Sequence, residues 1–223
     1  MTAADAKKVK TKKTRAKPAK QTGVRDKKKA HHRDLLIDAT IKSIAEHGYA
    51  GTTVSTIQAI SGLSRGMINL HFSSKEVLFQ AALTRLANNY ETFWRAALIK
   101  GGSKPASQLM SVLKNDLSNQ VLKSDMLSVW YAFRAEANSH PEYLELCGTR
   151  DKQYTAMLNN LCLNLAESQG ENLEYARDSA SGIYAMVEGF WVEAFLHPKT
   201  FNKSRATRVL HAFIKSRFPK SFK

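Results

Sequence analysis

Cysteine is scarce in this 223-residue chain: Cys147 and Cys162 are the only two. Both lie inside helical patterns and offer neither metal-ligand spacing nor a disulfide framework, which fits a reducing compartment and points to the cytoplasm. Long apolar runs are lacking too. None approaches ~18 residues, so no membrane span is expected, and the N-terminal stretch has no apolar segment of the kind a secretory leader carries. Catalytic signatures are missing: no HExxH, no phosphate-cradling glycine loop, no nucleophile elbow. The histidines (His31, His32, His47, His71, His140, His197 and His211) stand mostly beside a Gly, a Pro or a helix end, without paired-ligand spacing. No enzymatic activity, metal or cofactor is expected. No convincing strand pattern and no internal repeat occur, so the expected fold class is all-α.

Acidic side chains are nearly absent from one end. The formal net charge is +15, yet residues 1–33 hold 13 Lys/Arg against 2 acids, which leaves only +4 for the rest of the chain. Val9 and Val24 are the only branched apolar residues in residues 1–30, so this segment has nothing to pack and is expected to be a disordered basic tail. It would serve either as a solubilising leader or as an arm following DNA phosphates. The chain is 43% hydrophobic, enough for a substantial core beyond that tail.

What the sequence does contain is concentrated in Thr52 to Phe72. Val54, Ile57 and Ile60 recur at three-residue spacing on one helix face. Ser61-Gly62-Leu63-Ser64 supplies a glycine turn and a serine positioned to cap the next helix. A second short helix, Arg65 to His71, mixes Met67, Ile68 and Leu70 with Arg65, Asn69 and His71. Two short helices across a tight turn have the form of a helix-turn-helix, although ordinary helical hairpins share that outline. An amphipathic helix from about His31, with Leu35, Leu36, Ala39, Ile44 and Ala45, precedes them and is expected to end at Gly48.

After Phe72, Ser73 or Ser74 caps a long helix, with Ser73 and Glu76 spaced as a capping box. It runs through Leu78, Phe79, Leu86, Tyr90, Phe93 and Trp94 to the Gly101-Gly102 stop. Further helical patterns follow at Ser103–Leu117, Val121–Asn138, Glu142–Ala166 and Leu173–Leu196, and from about Lys203. Pro141 suits the first turn of the helix that continues through Glu142. The organisation expected is a tail (1–30), a DNA-binding head (31–74) and a helical body (75–217).

The set Gly48, Thr52-Thr53-Val54, Ile57, Gly62-Leu63-Ser64, Gly66 and His71-Phe72, followed by Lys75-Glu76 and Leu78, resembles the TetR family of transcriptional regulators. Ile60-Ser61-Gly62 and Asn69 depart from the usual pattern. The resemblance implies a helix-turn-helix head, a connecting helix and an all-α body that binds a small-molecule effector and dimerises. Trp130-Tyr131-Ala132-Phe133, His140-Pro141, Glu188-Gly189-Phe190-Trp191 and Lys203-Ser204-Arg205-Ala206 are similar to the choline-responsive branch of that family.

A repressor of this kind would read double-stranded operator DNA through Ser64, Arg65, Asn69 and His71, with Thr53 and Lys75 on phosphates as the matching positions are in the family. Two heads require a homodimer. Its interface is expected on the helices Glu142–Ala166 and Leu173–Leu196, whose faces with Met157, Leu161, Leu165, Ala180, Ile183 and Val187 are apolar enough to serve core and interface together. Aromatic side chains at Tyr90, Trp94, Trp130, Phe133 and Trp191 could hold a quaternary ammonium such as choline, with Glu188 as the first choice of counter-charge ahead of Glu136 and Asp125. A neutral apolar effector of a regulator of efflux or metabolism, and a tail-driven architectural protein that binds nucleic acid without sequence preference, are the alternatives.

Overall fold

The structure, a computed structural model, describes residues 19–222, without the side chains of residues 19–24 and 124. The first eighteen residues of the expected basic tail lie outside the described residues. Those that are described form helices joined by short turns: α1 (Ala19–Gly51), α2 (Val54–Ser61), α3 (Arg65–His71), α4 (Lys75–Lys100), α5 (Pro105–Asp116), α6 (Ser124–Glu136), α7 (Pro141–Glu167), α8 (Leu173–Leu196) and α9 (Lys203–Arg217). The all-α expectation holds among them.

Helix α1 begins well before His31, so residues 19–30 are helical where an unstructured tail is expected from composition. Ala, Lys, Gln and Arg are strong helix formers, and α1 grows outward from its packed part without needing apolar contacts there. Residues 25–30 are accordingly exposed all round. At the other end Gly48 has φ 71 and breaks the helix, as expected of a glycine at a C-terminal turn.

Local capping sets the turn of the head. Thr53 caps α2 and, with Thr56, closes a reciprocal capping box; Gly62 (φ 70) ends α2 in the left-handed region; Ser64 Oγ accepts from Met67 N and starts α3. Thr52, by contrast, is buried, donating to the Gly48 carbonyl at 2.8 Å and meeting Ser43 Oγ at 3.2 Å. The expected capping box at Ser73 and Glu76 is not formed. Ser74 is the cap, accepting from Val77 N, because it rather than Ser73 directly precedes the first helical residue. Helices α5 and α6 start at Pro105 and Ser124, inside the expected boundaries Ser103 and Val121; residues 118–123 form a turn instead, with the Val121 amide bonded to Ser118.

Two apolar cores result. One is wholly in the body, centred on α4, α5, α7, α8 and α9, and it extends past α9 to the buried Phe218 and Phe222. The other joins head to body: Leu36, Ile44, Ile57, Ile68 and Phe72 of the head pack with Phe79 and Leu83 of α4 and with Val129, Phe133, Tyr143 and Cys147 of α6 and α7. The boundary expected at 74/75 is thus crossed by continuous packing. Arg85 of α4 adds a polar clamp, donating to Asp38 of α1 at 3.2 Å and to Asp34.

Candidate functional site: a DNA-reading helix and an aromatic cage

Helix α3 buries Ile68 and leaves Ser64, Arg65, Gly66, Asn69 and Leu70 exposed. Residues 65 and 69 are one helical turn apart, so Arg65 and Asn69 share the outward face. Leu70 is 65% exposed beside them, a large apolar side chain on the surface of α3. Hydrophobic periodicity alone does not separate it from Met67 and Ile68.

His71 sits differently. It is half-buried, edge-on to His32 of α1 with ring centroids 5.9 Å apart, and its Nε2 is enclosed with no hydrogen-bond partner. Burial first, then the charges of His32, Lys29 and Arg33, hold its pKa below the ordinary value. Thr53 is exposed at the start of α2, while the Lys75 ammonium lies over the Phe79 ring, 4.8 Å from its centroid. The outer part of α1 adds a cation beside α3. Arg33 donates to the His71 carbonyl at 3.3 Å and stacks on Phe72 at 4.4 Å.

In the body, three of the expected effector residues converge. Tyr90 of α4, Trp130 of α6 and Trp191 of α8 surround one point, and the guanidinium of Arg150 of α7 occupies it. Its carbon lies 4.2 Å from the Tyr90 ring centroid, 4.4 Å from that of Trp130 and 5.1 Å from that of Trp191. Arg150 is 5% exposed; it donates to Asp151 at 2.6 Å, lies 3.5 Å from Glu188, and leaves its Nε without a partner. The free space left in the cage is about 20 Å³, bounded also by Leu86, Val121, Met126 and Leu127. That is room for about one water.

Glu188 is at the cage, but already engaged, with Arg134 Nη1 at 3.2 Å as well as Arg150. Behind the rings, Asp116 is fully buried. It accepts from the Tyr90 hydroxyl at 3.0 Å and from the Tyr154 hydroxyl, and its backbone carbonyl accepts from Trp191 Nε1 at 3.0 Å. Burial raises its carboxyl to about 6, with the two tyrosine hydroxyls and Arg150 limiting the rise. Neither Arg150 nor Asp116 stands out in the sequence. An arginine and an aspartate on helices read as surface charges until packing places them inside.

Two expected members lie elsewhere. Phe133, one helical turn from Trp130, faces the junction core against Tyr49, Phe79 and Tyr143. Trp94 packs on Tyr154, with Arg95 over its ring at 4.6 Å. A helix presents side chains around its whole circumference, and pattern alone does not say which of two cores each will enter. The same limit affects the expected dimer faces: Leu161, Leu165, Ala180, Ile183 and Val187 are all buried within the chain, and Met157 is half-buried. The two cysteines are packing residues, their thiols raised by burial to about 11 for Cys147 and about 12 for Cys162. Among the described residues no group of three or more His, Cys, Asp or Glu could hold a metal ion, and no helix is long and apolar enough to cross a membrane.

Residues 36–82 match the family model for bacterial regulatory proteins of the tetR family, and residues 105–219 match that for the C-terminal part of BetI-type transcriptional repressors. The HTH-type transcriptional regulator BetI of Stenotrophomonas maltophilia (strain R551-3) is 28% identical over 182 residues, 82% of this chain and 90% of that protein. A transcriptional regulator from Pseudomonas aeruginosa PAO1 shares the fold with a TM-score of 0.76 at 25% identity, over 86% of this chain and 93% of its own. Another, from Saccharomonospora viridis and solved in complex with choline, gives a TM-score of 0.74 at 20% identity, over 83% and 96%. Regulators of this family bind DNA as dimers and respond to small-molecule effectors; they are not enzymes. Reading head and effector-binding body are both matched, and the chain belongs to the TetR family, as a DNA-binding repressor regulated by a small-molecule effector and with a C-terminal domain of the BetI type.

Proposed function

We propose that this repressor leaves its operator when a quaternary ammonium compound of choline's class binds between Tyr90, Trp130 and Trp191. The observation that carries the reading is the guanidinium held over three aromatic faces within 4.2–5.1 Å. Such a cage attracts cations through the ring quadrupoles, worth roughly 0.5–2 kcal/mol per face when desolvated. Glu188 and Asp151 supply negative charge at its edge. The Saccharomonospora regulator, which shares the fold, was solved with choline.

The helices that build the cage also reach the head. Trp130 and Phe133 share α6, and Arg150, Cys147 and Tyr143 share α7. Tyr143 and His140 meet the hydroxyl of Tyr49, just past the Gly48 break in α1, at 3.1 and 3.5 Å. A ligand that moves α6 or α7 therefore has a packed route to the helix-turn-helix, and differential binding to two head arrangements releases DNA. On the DNA side, Arg65 and Asn69 read base edges, Ser64 contacts a phosphate, and Thr53 and Lys75 flank them on the backbone.

The pairing of heads uses the outer face of α8, where Ser181, Ala185, Gly189, Val192 and Leu196 are exposed in a stripe at helical spacing, together with Val209 and Ala212 of α9. Small residues there permit close approach of a second copy.

Titrating choline into the operator complex tests the reading. Release is expected for the native protein, and Trp130→Leu, which removes a ring whose Nε1 has no hydrogen-bond partner, should weaken it about tenfold. Release by neutral aromatic compounds but not by choline would replace the cation with an apolar effector. Arg65→Ala should relax operator preference by ~1–3 kcal/mol at one base pair. Uniform loss across duplexes would reduce Arg65 to a backbone contact.

A further inference from the structure

The cage holds a cation of the chain's own, and this sets a condition on any effector. Arg150 lies between two spaces. On its inner side is the aromatic cage, which its guanidinium fills to within about 20 Å³. On its outer side is a groove of about 320 Å³ between α4 and α7, lined by Glu91, Glu142 and Glu145 together with Gln80, Asn88 and Gln153. Arg150 is the residue common to the walls of both. A choline-sized molecule cannot enter about 20 Å³, and the guanidinium already satisfies the three rings. A cation entering the cage must therefore evict it.

We infer that Arg150 is a tethered occupant of the effector cage, which a quaternary ammonium ligand displaces into the glutamate-lined groove. The inference rests on the cage being the effector site, as proposed above. Three features make the swing feasible. The side chain is long and jointed, with its backbone on α7 at the boundary of the two spaces. Its anchoring carboxylates do not depend on it alone, because Arg134 lies 3.6 Å from Asp151 and 3.2 Å from Glu188. The groove supplies a second set of carboxylates, with Glu145 exposed and Glu91 of the connecting helix α4 shared with Arg95 at 2.7 Å. Eviction thus exchanges Arg150's contacts with the rings of α4, α6 and α8 for carboxylates of α4 and α7. Affinity for the effector is reduced by the fraction of time the cage is closed. Arg150 would thereby set the concentration at which the repressor responds, and would exclude neutral molecules that cannot replace a cation among the rings.

Calorimetry with choline chloride on the full-length protein tests this, comparing the native chain with Arg150→Met and Glu145→Gln. Methionine keeps apolar volume against the rings but leaves no tethered cation. If Arg150 fills the cage about nine-tenths of the time, its removal tightens choline binding about tenfold. Glu145→Gln, at an exposed position in the outer groove, should weaken binding severalfold by making the evicted position less favourable. Equal or weaker choline affinity in a folded Arg150→Met protein overturns the tethered occupant and leaves the cage reading intact. If Arg150→Met fails to fold, Glu145→Gln decides, and unchanged affinity there overturns the inference. No choline binding by either the native chain or Arg150→Met, with operator binding retained, removes the cage reading and the occupant together.

Discussion

Replacing Asp116 by asparagine should remove a pH-dependent contribution to stability whose direction is opposite to that of most carboxylates. Asp116 is fully buried, and burial lifts its carboxyl from 3.8 to about 6 despite the hydroxyls of Tyr154 and Tyr90 and the charge of Arg150. The folded protein therefore holds this proton more tightly than the unfolded chain does. The stabilising contribution is complete below about pH 4 and is lost as pH rises through about 6. A pKa difference of about 2, at roughly 1.4 kcal/mol each, amounts to about 3 kcal/mol between those limits. Asparagine resembles the protonated acid: one oxygen to accept a tyrosine hydroxyl, one NH₂ to donate. Urea unfolding of both proteins at one fixed concentration, at about pH 4 and in steps to about pH 8, isolates the effect as a difference, since every other titrating group is common to both. Relative to the native chain, Asp116→Asn should gain about 3 kcal/mol across that range, with the change centred at about pH 5. A stability difference that stays constant over the whole range would refute the buried-carboxylate argument. A change of opposite sign would mean that Asp116 is held as a firmly ionised partner of Arg150.

Gly101 follows α4, and a Cβ there would lie 2.4 Å from the Gln108 Cα. Gly101→Ala should therefore cost ~1–3 kcal/mol by forcing α4 and α5 apart, read as a lower melting temperature. Val192→Asp, on the exposed stripe of α8, should leave the monomer folded but convert a dimer into monomers in sedimentation at micromolar concentration; an undisturbed dimer would move the interface elsewhere. Residues 1–18 contain seven Lys/Arg and one acid. Deleting residues 2–18 should flatten the dependence of non-specific DNA affinity on salt concentration, by a slope of about 0.9 for each phosphate that is no longer neutralised, while operator preference stays nearly unchanged.

Element identity is legible in this sequence because the information is local. Thr53, Gly62 and Ser64 dictate the turn of the head through their own hydrogen bonds and backbone preferences, and no distant residue is needed to read them. The stops at Gly48 and Gly101 and the start at Pro141 are of the same kind. The beginning of α1 escapes a criterion based on apolar content, because Ala, Lys and Arg continue a helix without any partner to pack against. Burial is settled over longer distances. Phe133 and Trp130 are three residues apart on α6 and both pack in the junction core, yet only Trp130 also turns its ring to the cage, because α6 is wedged between α1 and α8. Spacing within a few turns is enough to specify the helices and most of their caps. It does not specify that Tyr90, Trp130 and Trp191, from three helices, close around Arg150 from a fourth, or that Asp116 lies beneath them. Those are outcomes of packing in three dimensions. Whether a charged side chain is solvated or enclosed depends on what the rest of the chain brings over it, and that is not a property of its neighbours in sequence.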